Sequence, residues 1–174
     1  MKVNVMTIPE DGMKLQISKD GGWFHNLLPE KEKIDFPLQG VAVFLSIERL
    51  RDTISIAGNI ETIADIECCR CLELNSHTLK NEFRYTLVPS AGKEKEELEL
   101  SLEELEFGYY KDDTVNIDQI ILEQIILQIP INALCKDSCK GLCAHCGINL
   151  NMARCNCQID FVDERLAVLK NVKF

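Results

Sequence analysis

The chain has 174 residues, 46% of them hydrophobic and 6% aromatic, and a formal charge of −9. That length suits one domain, or one domain with a small appendage, and the apolar share suffices for a real core, so bound metal would add to folding rather than replace that core. The acidic balance speaks against a general RNA-binding surface, because affinity for RNA rests on Lys and Arg meeting phosphates.

The opening stretch, MKVNVMTIPEDG, lacks the apolar run behind a basic start that a signal peptide needs. The longest apolar segment, IILEQIILQIPI at 120–131, is interrupted by Glu123, Gln124 and Gln128, and it falls short of the roughly 20 residues of a membrane span. We therefore expect a cytoplasmic protein with no membrane association. Strands dominate the first ninety residues. MKLQIS (13–18) alternates Met13, Leu15 and Ile17 against polar neighbours, and VAVFLSI (41–47) reads as a buried strand. DTISIAGNIETIADIEC (52–68) alternates through Ile54, Ile56, Ile60, Thr62, Ala64, Ile66 and Cys68, with Gly58 as a bulge or turn. HTLKNEFRYTLVP (77–89) puts Leu79, Phe83, Tyr85 and Leu87 on one face, and the succession of long strands predicts an antiparallel meander.

Residues 90–110 break this pattern. The stretch carries seven glutamates between residues 94 and 106 and reads as a solvated connection, or as an acidic surface for a basic partner. Its second half, LELSLEELEF, fits strand or helix. A helix follows near 118–129, capped by Asn116 or Asp118, with Ile121, Leu122, Ile125 and Ile129 at helical spacing and Pro130 ending it. A last helix is expected in DFVDERLAVLKNV, with Asp160 as cap and Val162, Leu166 and Leu169 on a stripe. The expected fold is α+β: an antiparallel β-rich body with its helix over residues 1–134, and a cysteine-rich segment with the terminal helix over 135–174, packed on the body as one structural unit.

Nine cysteines are an odd number for a disulfide framework, and a reducing compartment disfavours one. With Cys69 set aside, the other eight form four close pairs: Cys68 with Cys71, Cys135 with Cys139, Cys143 with Cys146, and Cys155 with Cys157. A closed structural zinc site takes four ligands in a tetrahedron with Zn–S near 2.3 Å, which puts the sulfurs roughly 3.8 Å apart. Eight cysteines thus supply two Zn2+ sites. CAHCG resembles a zinc knuckle, a tight turn whose backbone amides face the sulfurs, and Gly147 permits the conformation needed at its exit. RCNC offers a second pair eight residues later, which makes Cys143, Cys146, Cys155 and Cys157 one compact set and leaves Cys68, Cys71, Cys135 and Cys139 for the other. A crossed pairing satisfies the same count. An iron–sulfur cluster uses the same ligands, and a lone CxxC also serves redox chemistry. A cysteine-based redox or iron–sulfur protein is therefore the alternative reading. Cys69 is expected to turn to the opposite face of the strand as packing, and His145 to be exposed. No hydrolase motif, phosphate-cradling loop or nucleophile elbow accompanies the cysteines, so we expect no enzyme and no small-molecule substrate.

ECCRCLE, followed about sixty residues later by ILEQIILQIPINALCKDSCKGLCAHCGINLN, then CNC and DERLAVLKNV, resembles the YceD family, the large ribosomal RNA subunit accumulation proteins of bacteria and plastids. Many members read ECxRC, then LPxxPLCxxDCxGLCPxCGxNLN, then CxC and a helix similar to DPRLAAL. The likeness is specific over 67–73 and 118–170. Cys69 fills a variable position, Ala144 and His145 stand where proline is common, and Glu164 replaces a frequent proline before Arg165. The resemblance implies a factor needed for normal levels of 23S ribosomal RNA, hence a role in large-subunit biogenesis, with ribosomal RNA, a basic ribosomal protein or an assembly protein as partner. Charge frames how that works. Residues 93–113 sum to −6 and residues 135–157 to +2. Eight thiolates with two zinc ions would add about −4 more. Either the locally basic residues Arg70, Lys136, Lys140 and Arg154 touch structured RNA, or the acidic stretch engages a basic protein and the effect on RNA is indirect.

Overall fold

The computed structural model describes residues 1–28, 36–90 and 107–157. The chain divides into two compact units, Met1–Ile66 with Leu74–Ile131 and Glu67–Glu73 with Asn132–Phe174. The division near the expected residue 134 thus falls after Ile131. Residues 67–73, which the sequence groups with the body, belong instead to the cysteine-rich unit, because their backbone bonds run there: Cys69 N–H donates to the Ala133 carbonyl and Leu142 N–H to the Arg70 carbonyl, each at 2.9 Å.

The first unit is built on a five-stranded sheet in the order β2-β3-β4-β5-β6: β2 (Met13–Asp20), β3 (Leu38–Leu50), β4 (Thr53–Glu67), β5 (Leu74–Pro89) and β6 (Phe107–Tyr110). β2 with β3 and β3 with β4 are antiparallel, as a meander requires. β6 departs from the meander by joining β5 in parallel. A separate antiparallel pair links β1 (Lys2–Asn4) to β7 (Thr114–Asn116).

The period-two pattern does what it predicts. In β3 Val41, Val43, Leu45 and Ile47 are buried while Ala42 and Phe44 face out, which gives the sheet one apolar face. Helices α1 (Gly21–Leu27) and α2 (Ile117–Gln128) cover it, α1 against β2, β3 and α2, and α2 against β5 and β1. Asp20 caps α1 by accepting from Trp23 N–H at 2.9 Å. α2 buries Ile117, Ile120, Ile121, Leu122 and Ile125, and each such side chain stabilises by about 1.5–3 kcal/mol. Asn116 occupies the N-cap position without a side-chain capping bond, and Asp118 pairs with the Met1 ammonium. Helix α2 stops two residues before Pro130.

Gly58 is neither bulge nor turn. It pairs in register with Leu45 inside an unbroken β4, and a Cβ there would lie 2.4 Å from the Phe83 ring and 2.7 Å from Leu45 Cδ2. The missing side chain makes room for the aromatic ring. Most of the LELSLEELEF segment, the acidic stretch up to residue 106 and the terminal helix expected from Asp160 lie outside the described residues. Among the described residues no helix is long and apolar enough to cross a membrane.

Candidate metal centres

The second unit is a set of turns rather than a sheet or helix bundle over its described residues, and its side chains are organised around sulfur. Two groups of four thiols form: Cys68, Cys71, Cys135 and Cys139, and separately Cys143, Cys146, Cys155 and Cys157, with the sulfurs of each group all within 4.8 Å of one another. This is the uncrossed division of the four pairs. In the first group Cys68 Sγ lies 3.8 Å from Cys139 Sγ, and Cys71 Sγ lies 3.7 Å from Cys135 Sγ. A tetrahedral ion with bonds near 2.3 Å needs about this edge length. In a multi-iron cluster each iron takes its own cysteines and the thiolates spread around the metal core, so sulfurs this close surround the volume of one ion.

Each CxxC pair sits on a turn of the same construction. In the C-terminal pair Gly147 N–H donates to the Cys143 carbonyl at 2.9 Å and Cys143 N–H to the Ile148 carbonyl at 2.8 Å. In the other pair Leu72 N–H donates to the Cys68 carbonyl and Cys68 N–H to the Glu73 carbonyl, both at 2.9 Å. The residue after the second cysteine is left-handed in both, Gly147 at φ +72° and Leu72 at φ +60°. ECCRCLE is therefore a second knuckle. The sequence hid it because leucine stands where glycine signals the turn.

Backbone amides tune the thiols. Burial pushes Cys68 up, but the amides of Cys135, Arg70 and Cys71 outweigh it and hold the thiol at about 6. The amides of Cys146 and His145 do the same for Cys143, also about 6, and His145 N–H lies 3.5 Å from Cys143 Sγ. Burial and the neighbouring thiols Cys139 and Cys71 push Cys135 up to about 12. Cys157 is pushed up to about 12, first by its bond to Cys146 and then by burial. The first group thus sets Cys68 and Cys139, both lowered, against Cys71 and Cys135, both raised, and the second sets Cys143 against Cys157. A dication removes that conflict by stabilising all four thiolates together, so the donor sets fit Zn2+.

The two groups differ in shielding. Cys68, Cys71 and Cys139 are buried beside Leu134 and Leu142, whereas in the other group only Cys143 is buried and Cys146 is exposed. Cys69 is exposed and outside both groups. The expectation that it packs against the strand's opposite face fails because β4 ends at Glu67 and Cys69 lies in the knuckle turn. His145 is exposed as expected. Arg70, Lys136, Lys140 and Arg154 are all exposed members of this unit, and Arg70 also donates through its guanidinium to the Cys139 carbonyl at 3.0 Å.

Sequence reasoning missed two asparagines. Asn151 donates to Cys139 Sγ at 3.3 Å and accepts from Lys140 N–H at 2.9 Å. Asn149 accepts from Asn151 N–H at 3.0 Å and donates to Glu73 Oε1 at 3.3 Å. The signal available was the polar-apolar-polar NLN between the last two cysteine pairs, to which the sequence reading gives no role of its own.

A sheet body with a discontinuous unit built on two tetracysteine groups defines an α+β protein with two candidate metal centres. The chain belongs to the YceD family, described as Large ribosomal RNA subunit accumulation protein YceD, whose match covers residues 56–173. It is similar to Large ribosomal RNA subunit accumulation protein YCED homolog 1, chloroplastic, of Arabidopsis thaliana, at 25% identity over 92% of this chain and 57% of that protein. The Zea mays protein of the same name is 26% identical over 70% of this chain and 50% of its own length. An uncharacterized protein of Mycobacterium leprae is 31% identical over 61% of this chain and 47% of its own length. The chain spans about half the length of these curated relatives. No solved structure matches it.

Proposed function

We propose that this chain is a non-enzymatic factor that supports accumulation of 23S ribosomal RNA and assembly of the large ribosomal subunit, with two structural zinc ions holding its cysteine-rich unit together. The observation that carries the reading is the family match over residues 56–173, a span that contains all eight grouped cysteines. The 3.7–3.8 Å sulfur spacing supports a single tetrahedral ion over a multi-iron cluster, and four cysteine ligands leave no coordination position for a substrate. The reading puts the chain where ribosomes are assembled, in the cytoplasm; the two plant relatives are named as chloroplastic.

Metal analysis of the purified chain tests the first half. Two zinc ions and a colourless solution are expected, and a brown, iron-containing protein would return us to the iron–sulfur alternative. Crosslinking in cells, followed by identification of bound RNA and protein, tests the second. Recovery of neither ribosomal RNA nor ribosomal or assembly proteins would remove the direct role.

Two accounts of the partner differ in which residues matter. The exposure of Arg70, Lys136, Lys140 and Arg154, all members of one unit, favours direct contact with structured RNA. The acidic residues 94–106 favour a basic ribosomal or assembly protein. Reversing the charge at Lys136, Lys140 and Arg154 together should abolish RNA crosslinking under the first account and leave it unchanged under the second.

A further inference from the structure

The loop that closes the more exposed cysteine group also reaches into the buried one. Residues 147–154 run between the ligand pairs Cys143/Cys146 and Cys155/Cys157, so an ion bound to those four pins both ends of the loop. Asn151 stands near its middle. Lys140 N–H is a donor and fixes the Asn151 oxygen toward it, at 2.9 Å. The amide nitrogen is left to donate to Cys139 Sγ at 3.3 Å and to Asn149 Oδ1 at 2.9 Å. Two further bonds moor the same loop to the chain of the buried group: Leu150 N–H donates to the Gly141 carbonyl at 2.9 Å, and Asn149 Nδ2 to Glu73 Oε1 at 3.3 Å, two residues beyond Cys71. A donor held against a ligand thiolate stabilises its negative charge and orients it toward a metal. It does so only while the loop that carries it is held.

We propose that Asn151 couples the two centres: an ion on Cys143, Cys146, Cys155 and Cys157 locks the 147–154 loop and thereby raises the affinity of Cys68, Cys71, Cys135 and Cys139 for theirs. Coupling of binding free energies is reciprocal, so the buried centre strengthens the exposed one by the same factor. Asn151 is a positioning residue here, acting through Cys139. The proposal rests on reading both cysteine groups as metal centres.

The test is per-site occupancy of the full chain loaded with 113Cd, followed by NMR against increasing chelator. Cys68→Ser/Cys71→Ser and Cys155→Ser/Cys157→Ser assign the resonances. Removing Cys155 and Cys157 should weaken the buried centre by about 10- to 100-fold, the usual effect of losing such a supporting bond. Asn151→Ala should weaken it as much while two ions still bind at saturation. In the Asn151→Ala background, removing Cys155 and Cys157 should then cost little more. Asn151→Asp keeps the acceptor for Lys140 N–H but sets a carboxylate oxygen where the N–H donor faced Cys139 Sγ, and should weaken the buried centre at least as much as Asn151→Ala does. The coupling is overturned if the buried centre's affinity ignores the Cys155/Cys157 variant, a result that needs no Asn151 variant to fold. It is also overturned if that variant's full effect persists in the Asn151→Ala background. A wild-type chain that binds fewer than two ions at saturation removes the metal reading itself, and the coupling with it.

Discussion

Single residues carry the local turns and the sharpest expectations. Left-handed backbone costs an L-residue roughly 1–2 kcal/mol, whereas glycine enters it freely. Under the proposed metal reading, Gly147→Ala should therefore lower the stability of the cysteine-rich unit by about 1 kcal/mol, read as an earlier loss of added metal in a chelator titration. Leu72 is 59% exposed and sits in the equivalent place, so Leu72→Gly should be neutral or gain up to about 1 kcal/mol. Gly147 was legible because glycine after CxxC advertises its geometry. Leu72 was not, since nothing in its side chain marks a positive φ, and only the backbone bonds of both turns show them to be alike. Tyr110 offers a pH expectation in the other unit. Burial, then the charges of Asp52 and Asp113, raise its phenol above the ordinary value, and it donates to the Asp52 carbonyl at 2.8 Å. A phenol whose pKa is raised by folding keeps its proton longer in the folded chain, so its contribution is intact below about pH 10 and is lost as pH rises through the folded value. Urea unfolding midpoints should fall above about pH 10, and less steeply in Tyr110→Phe. Tyr85, raised by burial and by Glu123, contributes to the slope that remains.

At the scale of elements, length decided what could be read. β3, β4, β5 and α2 each run for twelve residues or more, long enough for periods of two or 3.6 to stand out. β1, β7 and β6 have three or four residues, too few for any period, and their existence depends on partners distant in sequence. The parallel entry of β6 beside β5 was hidden for the same reason. Within β4, Gly58 looked like punctuation because composition alone cannot report the Phe83 ring above it. Gly58→Ala should cost about 1–3 kcal/mol by overpacking, and Gly58→Ala combined with Phe83→Leu should recover part of it; denaturant midpoints of the three chains settle this. Ile121, fully buried in α2, should cost about 2–5 kcal/mol as Ile121→Ala.

On the scale of the whole molecule, the two units draw their stability from different sources. The first has a continuous apolar core from Val5 to Ile125. Among the described residues the buried cluster of the second is Cys68, Cys71 and Cys139, flanked by Leu134, Cys135 and Leu142, so under the proposed reading bound metal supplies much of what an apolar core supplies in the first. Structural zinc sites supply on the order of 10–16 kcal/mol, as much as a whole domain's stability. Chelation should accordingly release hydrogen-exchange protection at 67–73 and 132–157 while β2 to β5 keep theirs; equal loss in both would show a single cooperative body. The cysteine pairs were legible from spacing, and the membership of 67–73 was not, because only folding shows which unit a seven-residue excursion joins. That excursion has a temporal consequence. Cys68 meets Cys139 across 71 positions of sequence, and at 5–20 residues per second synthesis takes roughly 4 to 14 s to deliver the later thiol. Through that interval the nascent chain holds Cys68 and Cys71 with half their complement, so a stall or truncation before residue 135 leaves a bare dithiol open to oxidation or to a stray ion.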